Sequence, residues 1–519
     1  MVDHSRGIGA WGLFGAIGLL VAVGCQPTQN TPKSSSQNAK AVDPSGPPPL
    51  LKGWDKPAAV LMLSGEQHGY FEPCGCSLTQ SGGMARRADL TKQLQDRDWP
   101  VAGLDVGGLL KRSRRQDQIK FETIWNALKT LDYEAVAVGV EDLRIGADFL
   151  VSQQPSDPAA IAEGPALISA NLTFFEVPDL GTPIRTKVFQ VGEIKVGVTA
   201  VFGQSLKDEV APQGVQSNVQ VTETDAGITA ALETLTAEKP DLLVLLSHGS
   251  REEASALAEK YPQFPVVVAA GGPEEPASDP KRVGKTLVIE TGHKGKKVGL
   301  LGVYPGEELK LRYELVDLDN RRFKTDPRML TAMRDYQQRL QDEGLAESSD
   351  LNIRHPSNTG FVGAAKCGEC HTKAYAKWKT SKHAHAFDSL QIGRKGEEAT
   401  WVSRIYDPEC LACHVTGWDP QGVLRYEGGF VSLDKTPHLA GQQCENCHGP
   451  GQRHTELEEQ HKKNRTSVPF ETVAAARREV KRDWKQAEKQ VCHKCHDVDN
   501  SPGFNFNEYW SKVQHPGRD

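Results

Sequence analysis

Four copies of the pattern Cys-x-x-Cys-His lie in the last third of this 519-residue chain, and they restrict its fold more than any other feature. Each copy is typical of haem c attachment. Its two cysteines form thioether bonds to the porphyrin, and the next histidine reaches the iron as the proximal ligand. Paired zinc sites are the alternative, but a four-cysteine zinc site does not require a histidine after every pair. The sequence therefore predicts four covalently bound haem c groups.

The motifs name the residues directly. The predicted attachment residues are Cys367, Cys370, Cys410, Cys413, Cys444, Cys447, Cys492 and Cys495. The predicted proximal ligands are His371, His414, His448 and His496. The surrounding segment, residues 360–519, has few apolar runs and two polar helical patterns, Glu456–Lys462 and Thr472–Gln490. We expect a mostly α-helical, haem-packed domain, because porphyrins would supply the apolar interior that the side chains lack.

The N-terminus predicts export. An uncharged stretch, Gly7–Gly24, ends in small residues directly before Cys25. This pattern is typical of a bacterial lipoprotein signal peptide, here residues 1–25, whose cleavage would leave Cys25 lipidated. An uncleaved anchor helix is the alternative, since about 18 apolar residues just span a bilayer. Both interpretations place the remaining chain on the periplasmic or cell-surface side, tethered to the membrane.

The next 300 residues divide into a linker and an α/β domain. Residues 26–57 are rich in Pro, Ser, Gln and Asn, which predicts a flexible linker. Over residues 58–320, short apolar runs alternate with helical patterns, which favours a sheet covered by helices on both faces. Residues 321–359 form a second linker with a helix at Pro327–Leu345, leaving 360–519 for the haem domain. The net charge of −6 gives no indication of a nucleic-acid partner.

The predicted elements of the α/β domain can be stated by residue. The predicted strands are Ala59–Leu63, Val101–Leu104, Ala135–Val138, Ala166–Ala170, Lys195–Val201, Asp241–Ser247, Pro265–Ala270, Thr286–Glu290 and Val298–Tyr304. The predicted helices are Gly83–Gln95, Phe121–Leu131, Thr222–Glu238 and Arg251–Tyr261.

The C-terminal motifs sit in a longer pattern. It comprises Trp378, Ser381–Ala386, Val415–Gly417, Gly441–Gly451 and Phe504–Phe506, together with the four haem motifs. This pattern resembles the tetrahaem cytochrome family that carries electrons away from hydroxylamine oxidation in nitrifying bacteria. The resemblance implies His383, His454 and His515 as distal iron ligands. It also implies that the haem of His414 is five-coordinate, while His385 and His438 are further ligand candidates in this chain.

A second pattern runs through the α/β domain. Its parts are Ser64–Pro73, Gly82–Ala88, Leu104–Gly108, Leu131–Asp142, Ser169–Leu172, Leu246–Gly249 and Ala270–Pro273. This order resembles the periplasmic nucleotidase branch of the metallophosphoesterases. The resemblance implies a four-layer sandwich, in which helices cover the outer faces of two packed sheets.

The chemistry of that family requires two metal ions that activate water against phosphorus. In this chain Gly108 stands where the family has a bridging Asp, and Val140-Glu141 replaces the family's Asn-His pair. We therefore expect a scaffold or binding module and not an active phosphoesterase. A rebuilt site for one divalent metal is the other interpretation, and its candidate ligands are Glu66, His68, Glu141 and His248.

Cys74 and Cys76 belong to neither pattern. A Cys-x-Cys pair can form a disulfide, bind a soft metal ion, or relay electrons, here toward the haem domain. Two buried thiols are the structural alternative.

Three functional hypotheses follow. The first is an electron-transfer protein that is tethered to a membrane and exchanges electrons with redox partner proteins. The second is a haem oxidoreductase acting on a small nitrogen or oxygen species at the open iron of His414. The third is a metal-dependent phosphoesterase with a redox appendage.

Overall fold

The computed structural model describes residues 49–73, 80–155, 157, 160–161, 163–178, 180–214, 216–393, 398 and 400–516. The predicted lipidation site Cys25 and the Cys74/Cys76 pair lie outside these residues. None of the described helices is long and apolar enough to cross a membrane. All described residues fall within one compact unit, so the boundary between the two predicted domains stays a prediction.

Mostly apolar strands build two six-stranded sheets in the first part of the described chain. The strands of this part are β1 Ala59–Ser64, β2 Val101–Asp105, β3 Tyr133–Ala137, β4 Ala166–Ile168, β5 Leu172–Phe174, β6 Thr186–Val191, β7 Ile194–Phe202, β8 Val219–Val221, β9 Leu242–His248, β10 Val266–Ala269, β11 Lys281–Val283, β12 Thr286–Glu290, β13 Lys297–Tyr304 and β14 Lys310–Asp317. The first six-stranded sheet has the order β14-β13-β1-β2-β3-β4, and the second has β11-β12-β10-β9-β7-β6. Strands β5 and β8 form a separate two-stranded sheet.

Helices cover the outer face of each sheet. They are α1 Met84–Gln95, α2 Arg115–Thr130, α3 Val140–Arg144, α4 Ala147–Ser152, α5 Lys207–Val210, α6 Thr224–Ala237, α7 Arg251–Lys260 and α8 Pro327–Asp342. Side chains alternate between the two faces of a strand. In β1, Leu61 and Leu63 therefore enter the core between the sheets, while Met62 packs toward the helix side. A third core, containing Ile228 and Ala254, lies between the second sheet and α6 and α7. The predicted four-layer α/β sandwich is confirmed.

The sequence missed strands at the sheet edges. β6 and β14 alternate buried or half-buried residues with exposed or charged ones, so they lack the continuous apolar run of a central strand. Helix α2 was predicted to begin at Phe121 and begins at Arg115. The Asp117 carboxylate accepts a bond from the backbone N–H of Arg114 at 3.0 Å, which closes the first turn.

The haem-motif region consists of short helices around a small apolar cluster that includes Leu411, Val415 and Phe430. Its helices are α9 Ala364–Gly368, α10 Thr372–Lys379, α11 Ala386–Ile392, α12 Pro408–His414, α13 Cys444–His448, α14 Gln452–Lys463, α15 Phe470–Glu479, α16 Trp484–Gln490 and α17 Phe506–Val513. Its short strands are β15 Asn352–Ile353, β16 Trp418–Asp419 and β17 Leu424–Tyr426, which form one three-stranded sheet. The predicted mostly α-helical domain therefore also contains a small sheet.

The single helix predicted over Thr472–Gln490 was also wrong. The chain forms two helices, α15 and α16, and Asp483 begins the second by accepting a bond from the N–H of Lys485 at 3.0 Å. The carbonyl of Val480 bonds the ring of His448 at 2.7 Å instead of continuing the helix. The end of the first helix therefore leaves the Val480 carbonyl available to orient His448, the histidine of the third haem motif.

Candidate functional sites

The structure pairs the histidine of the first motif with a distant histidine. The ring centres of His371 and His454 are 6.5 Å apart, with their planes inclined by 31°. His371 directly precedes α10, and His454 lies in the first turn of α14. The two imidazoles thus come from separate helical segments and meet across a gap.

Two further pairs have the same arrangement. The ring centres of His448 and His515 are 5.9 Å apart at an inclination of 47°. Those of His383 and His496 are 6.1 Å apart at 42°. Each pair joins the histidine of one motif to one of the three histidines that the family resemblance implied as distal ligands.

The spacing of these pairs fits an iron ion bound between two imidazoles. An iron–nitrogen bond of about 2.0 Å, plus about 1.1 Å from nitrogen to ring centre, gives a separation of about 6.2 Å when doubled. The three observed separations run from 5.9 to 6.5 Å. The residues present therefore fit three haems with two axial histidines each.

Burial favours the neutral form of three of these imidazole rings. It lowers the pKa of His383, of His448 and of His454, so the neutral imidazole that a metal requires is favoured. The Nδ1 atom of His448 bonds the carbonyl of Val480, and that of His496 lies 3.2 Å from the hydroxyl of Ser501. Such bonds to Nδ1 hold the ring orientation and leave Nε2 for the metal.

The second motif differs from the other three. The Nδ1 atom of His414, at the end of α12, bonds the carbonyl of Ala386 at 2.7 Å, so its ring is also oriented. Within the described part of the chain, no histidine ring faces His414 as in the three pairs. His385 is exposed and contacts Asp388 at 3.0 Å, and His438 is exposed as well.

The attachment cysteines lie at half-buried or exposed positions. The side chains of Cys367 and Cys444 are in contact, so the first and third motifs lie close together. Cys492 of the fourth motif likewise lies near Cys447 of the third motif. Porphyrins attached at these positions would be neighbours.

A second group of titratable residues lines a cavity of about 400 Å³ in the α/β domain. Four predicted metal ligands, Glu66, His68, Glu141 and His248, line it. Nevertheless, no three or more His, Cys, Asp or Glu side chains of the described residues are arranged to hold a metal ion. The alternative of a single-metal site at these four residues stays a prediction. Glu141 instead pairs with Arg144 at 2.5 Å.

His293, which the sequence patterns did not single out, completes this cluster. Its Nε2 lies 3.2 Å from the Glu66 carboxylate, and its ring centre is 5.1 Å from that of His68. The contact with Glu66 raises the pKa of His293, while burial lowers the pKa of His68 to about 4. Burial also acts to raise the pKa of Glu66, but the bond from His293 and the neighbouring imidazoles lower it overall. The cluster is an imidazole–carboxylate pair beside a neutral imidazole.

In the C-terminal region, three of the four motif histidines face a second imidazole, an arrangement that fits the axial ligands of a multihaem c-type cytochrome. Residues 366–449 match the family model described as "Cytochrome c554 and c-prime". Cytochrome c-554 of Nitrosomonas europaea is 35% identical over 98 residues, which are 18% of this chain and 39% of that protein. The chain thus spans well under half the length of this relative. The predicted resemblance of the C-terminal region is confirmed.

Solved structures similar to the chain include phosphoesterases. The 5'-nucleotidase precursor of Thermus thermophilus is 22% identical with a TM-score of 0.47, and the match covers 55% of this chain and 59% of that one. The sulfate thiohydrolase SoxB of Thermus thermophilus is 14% identical with a TM-score of 0.45, over 57% and 62% of the two chains. Similarity at this level carries no information about activity.

Proposed function

We propose that this chain is an exported, membrane-tethered tetrahaem c-type cytochrome that transfers electrons between redox partner proteins. One observation carries the proposal: three of the four motif histidines face a second imidazole at the separation that an iron requires. The fourth motif histidine, His414, is oriented in the same way through its Nδ1 atom. Each haem, when bound, takes up and releases one electron at its iron, and the protein holds the imidazoles that bind it.

The contacts between motifs support transfer within the molecule. Cys367 contacts Cys444, and Cys447 lies near Cys492, so the attachment points of the first, third and fourth haems lie close together in space. Since each cysteine bonds the edge of its porphyrin, neighbouring attachment points bring porphyrin edges close together. Electrons entering at one haem would then reach another by short steps.

Haem content tests the proposal. A pyridine haemochrome assay of the full chain should give four haem c groups. Replacing both cysteines of the fourth motif, Cys492→Ser with Cys495→Ser, should reduce this number to three. The matched control, Cys74→Ser with Cys76→Ser, should retain four. Fewer than four haems in the unmodified protein would contradict the tetrahaem proposal.

The membrane tether has its own test, because the proposal places the lipid on Cys25. The Cys25→Ser variant should lose incorporation of labelled lipid and leave the membrane fraction with its haems attached. If this variant stays in the membrane fraction, an uncleaved anchor helix holds the chain there.

A haem oxidoreductase is the second candidate function, and the isolation of His414 favours it. An iron bound by His414 alone would leave one coordination position for a small nitrogen or oxygen species. The ferric protein should then show one high-spin haem among three low-spin ones by electron paramagnetic resonance. A purely low-spin spectrum would exclude this activity.

We further propose that the α/β domain is a catalytically inactive scaffold. Gly108 has no side chain that could bridge two metal ions, and the described residues contain no grouping that could hold one. The purified protein should hydrolyse neither nucleotides nor simple phosphoesters when Mn²⁺ or Zn²⁺ is added. Metal-dependent hydrolysis that is lost in the Glu66→Gln variant would establish the phosphoesterase instead.

A further inference from the structure

The helix that carries the second haem motif begins inside a contact with the α/β domain. Asp407, directly before α12, accepts a bond from the backbone N–H of Glu409 at 3.0 Å and so caps the helix. The same carboxylate accepts bonds from the side-chain amides of Gln116 in α2 and Gln337 in α8, both at 2.8 Å. Asp407 is buried, so these bonds satisfy a charge that would otherwise be costly to remove from water.

The next acidic residue of the helix is held by two cations from the α/β domain. The carboxylate of Glu409 lies 2.6 Å from Nζ of Lys120 and 2.9 Å from Nη1 of Arg112. The Lys120 side chain is only 6% exposed, whereas the Glu409 side chain is 30% exposed. A buried lysine requires a charged partner, and Lys120 finds it in the haem-motif region.

The contact between Glu409 and Lys120 lies next to the attachment residues of the second haem motif. Glu409 directly precedes Cys410, whose sulfur would bond the porphyrin, and α12 ends at His414, whose imidazole would bind the iron. All three bonds of this haem to the chain, from Cys410, Cys413 and His414, would therefore start from a helix that is fixed at its first residues by contacts with the α/β domain. The charges at Glu409 would therefore lie one residue from a bond to that porphyrin.

We propose that Lys120, together with Arg112, is a positioning residue that sets the reduction potential of the haem on His414. The inference rests on the proposed haem at His414. Reduction adds one electron to the ferric iron, and a nearby carboxylate favours the more positive ferric state. Lys120 and Arg112 neutralise Glu409 and so keep the potential higher than the carboxylate alone would. The α/β domain thereby controls one haem of the cytochrome.

A redox titration of the full holoprotein tests this role, with electrons supplied by an electrode through mediators. The haem of His414 is followed by its high-spin signal and the others by their low-spin signals. In Lys120→Met the potential of the His414 haem should fall, and the other three should shift by less. In Glu409→Gln the potential of the His414 haem should rise. In the double variant this potential should return toward its value in the unmodified protein.

The matched control is Lys187→Met. Lys187 is equally buried, at 5% exposure, and pairs with Glu134 at 2.8 Å, but its bonds remain within the α/β domain. This variant should lose stability without a selective shift. If Lys120→Met does not accumulate, the half-exposed Arg112→Gln replaces it, with a smaller fall expected.

The two proposals fail in different ways. The positioning role would be overturned if Lys120→Met binds four haems and the potential of the His414 haem does not change. It would also be overturned if the potentials of all four haems shift equally. In both cases the proposed cytochrome function would still hold. The same selective shift in Lys187→Met would also overturn the positioning role. Fewer than four haems in the unmodified protein would refute the proposed function instead.

Discussion

The ring of His371 lies 6.5 Å from that of His454, although the second and third haem motifs separate the two residues along the chain. His454 occupies the first turn of α14, and His371 is fixed by its place directly after Cys370. The gap between these rings therefore depends on how α14 packs against the first motif. Lys366 contributes to that packing by contacting Glu459 of α14 at 2.5 Å.

We predict that the His454→Ala variant will change the coordination of one haem only. Loss of the second imidazole should convert the low-spin haem of His371 into a high-spin haem and change its reduction potential. The ferric absorption and electron paramagnetic resonance spectra measure this conversion.

His461 provides the control because it lies on the same helix and contacts Phe470 instead of a motif histidine. The His461→Ala variant should keep the spectrum of the unmodified protein. If both variants give the same spectrum, His454 is not an iron ligand.

Local sequence patterns explain much of the fold but less of the sites. Continuous apolar runs such as β9 and β10 identified the central strands, because a strand buried on both faces must be apolar throughout. The motifs fixed the positions of the proximal histidines. They could not distinguish His383 from His385, because only tertiary packing turns the first toward His496 and leaves the second exposed.

His293 shows the same limit in the α/β domain. It lies in the loop after β12 and matches no local motif, so its contact with Glu66 arises only when the chain folds. Conversely, the sequence pattern predicted Glu141 as a candidate metal ligand, but in the structure its carboxylate pairs with Arg144 of the same helix.

A buried carboxylate should contribute strongly to the stability of the haem domain. Glu445, between the two cysteines of the third motif, accepts backbone N–H bonds from Gly363 and Gly451, both at 2.7 Å, and from Val362 at 3.0 Å. The Glu445→Ala variant leaves these buried donors without partners. It should destabilise the domain by about 3 kcal/mol, since each unsatisfied donor costs about 1–3 kcal/mol and water will satisfy some of them.

Urea denaturation of the holoprotein, followed by haem absorption, measures this loss. The exposed Glu456 on α14 is the control, and Glu456→Ala should change the free energy of unfolding by less than about 0.5 kcal/mol. Equal stability of the two variants would show that the Glu445 bonds contribute little.

Asp499 should hold the fourth haem motif against the α/β domain. Its carboxylate contacts Nζ of Lys294 at 2.5 Å and the hydroxyl of Tyr70 at 3.2 Å. The Asp499→Asn variant removes the charge and weakens both contacts. Amide hydrogen exchange should then become faster in residues 292–296 and 497–503, whereas the exposed-pair variant Glu508→Gln should leave these segments unchanged.

The pH dependence of stability should report on His68. Burial lowers the pKa of His68 in the folded protein from 6.5 to about 4. As the pH falls from about 6.5 to about 4, the unfolded chain binds a proton that the folded protein does not, so His68 weakens the fold over this window. The loss amounts to up to about 3 kcal/mol. His293 has the opposite sign, because its raised pKa adds stability at low pH that is lost as the pH rises through the raised value.

The variant His68→Asn separates the two contributions. Asn suits the positive φ of 48° at this position and does not titrate. The free energy of unfolding of the variant, measured by urea denaturation between pH 4 and 7, should fall less steeply with decreasing pH than that of the unmodified protein. The difference between the two curves should be confined to the range below about pH 6.5, where the unfolded histidine begins to bind its proton. Parallel curves would mean that His68 titrates normally in the folded protein and that the cavity around it is open to water.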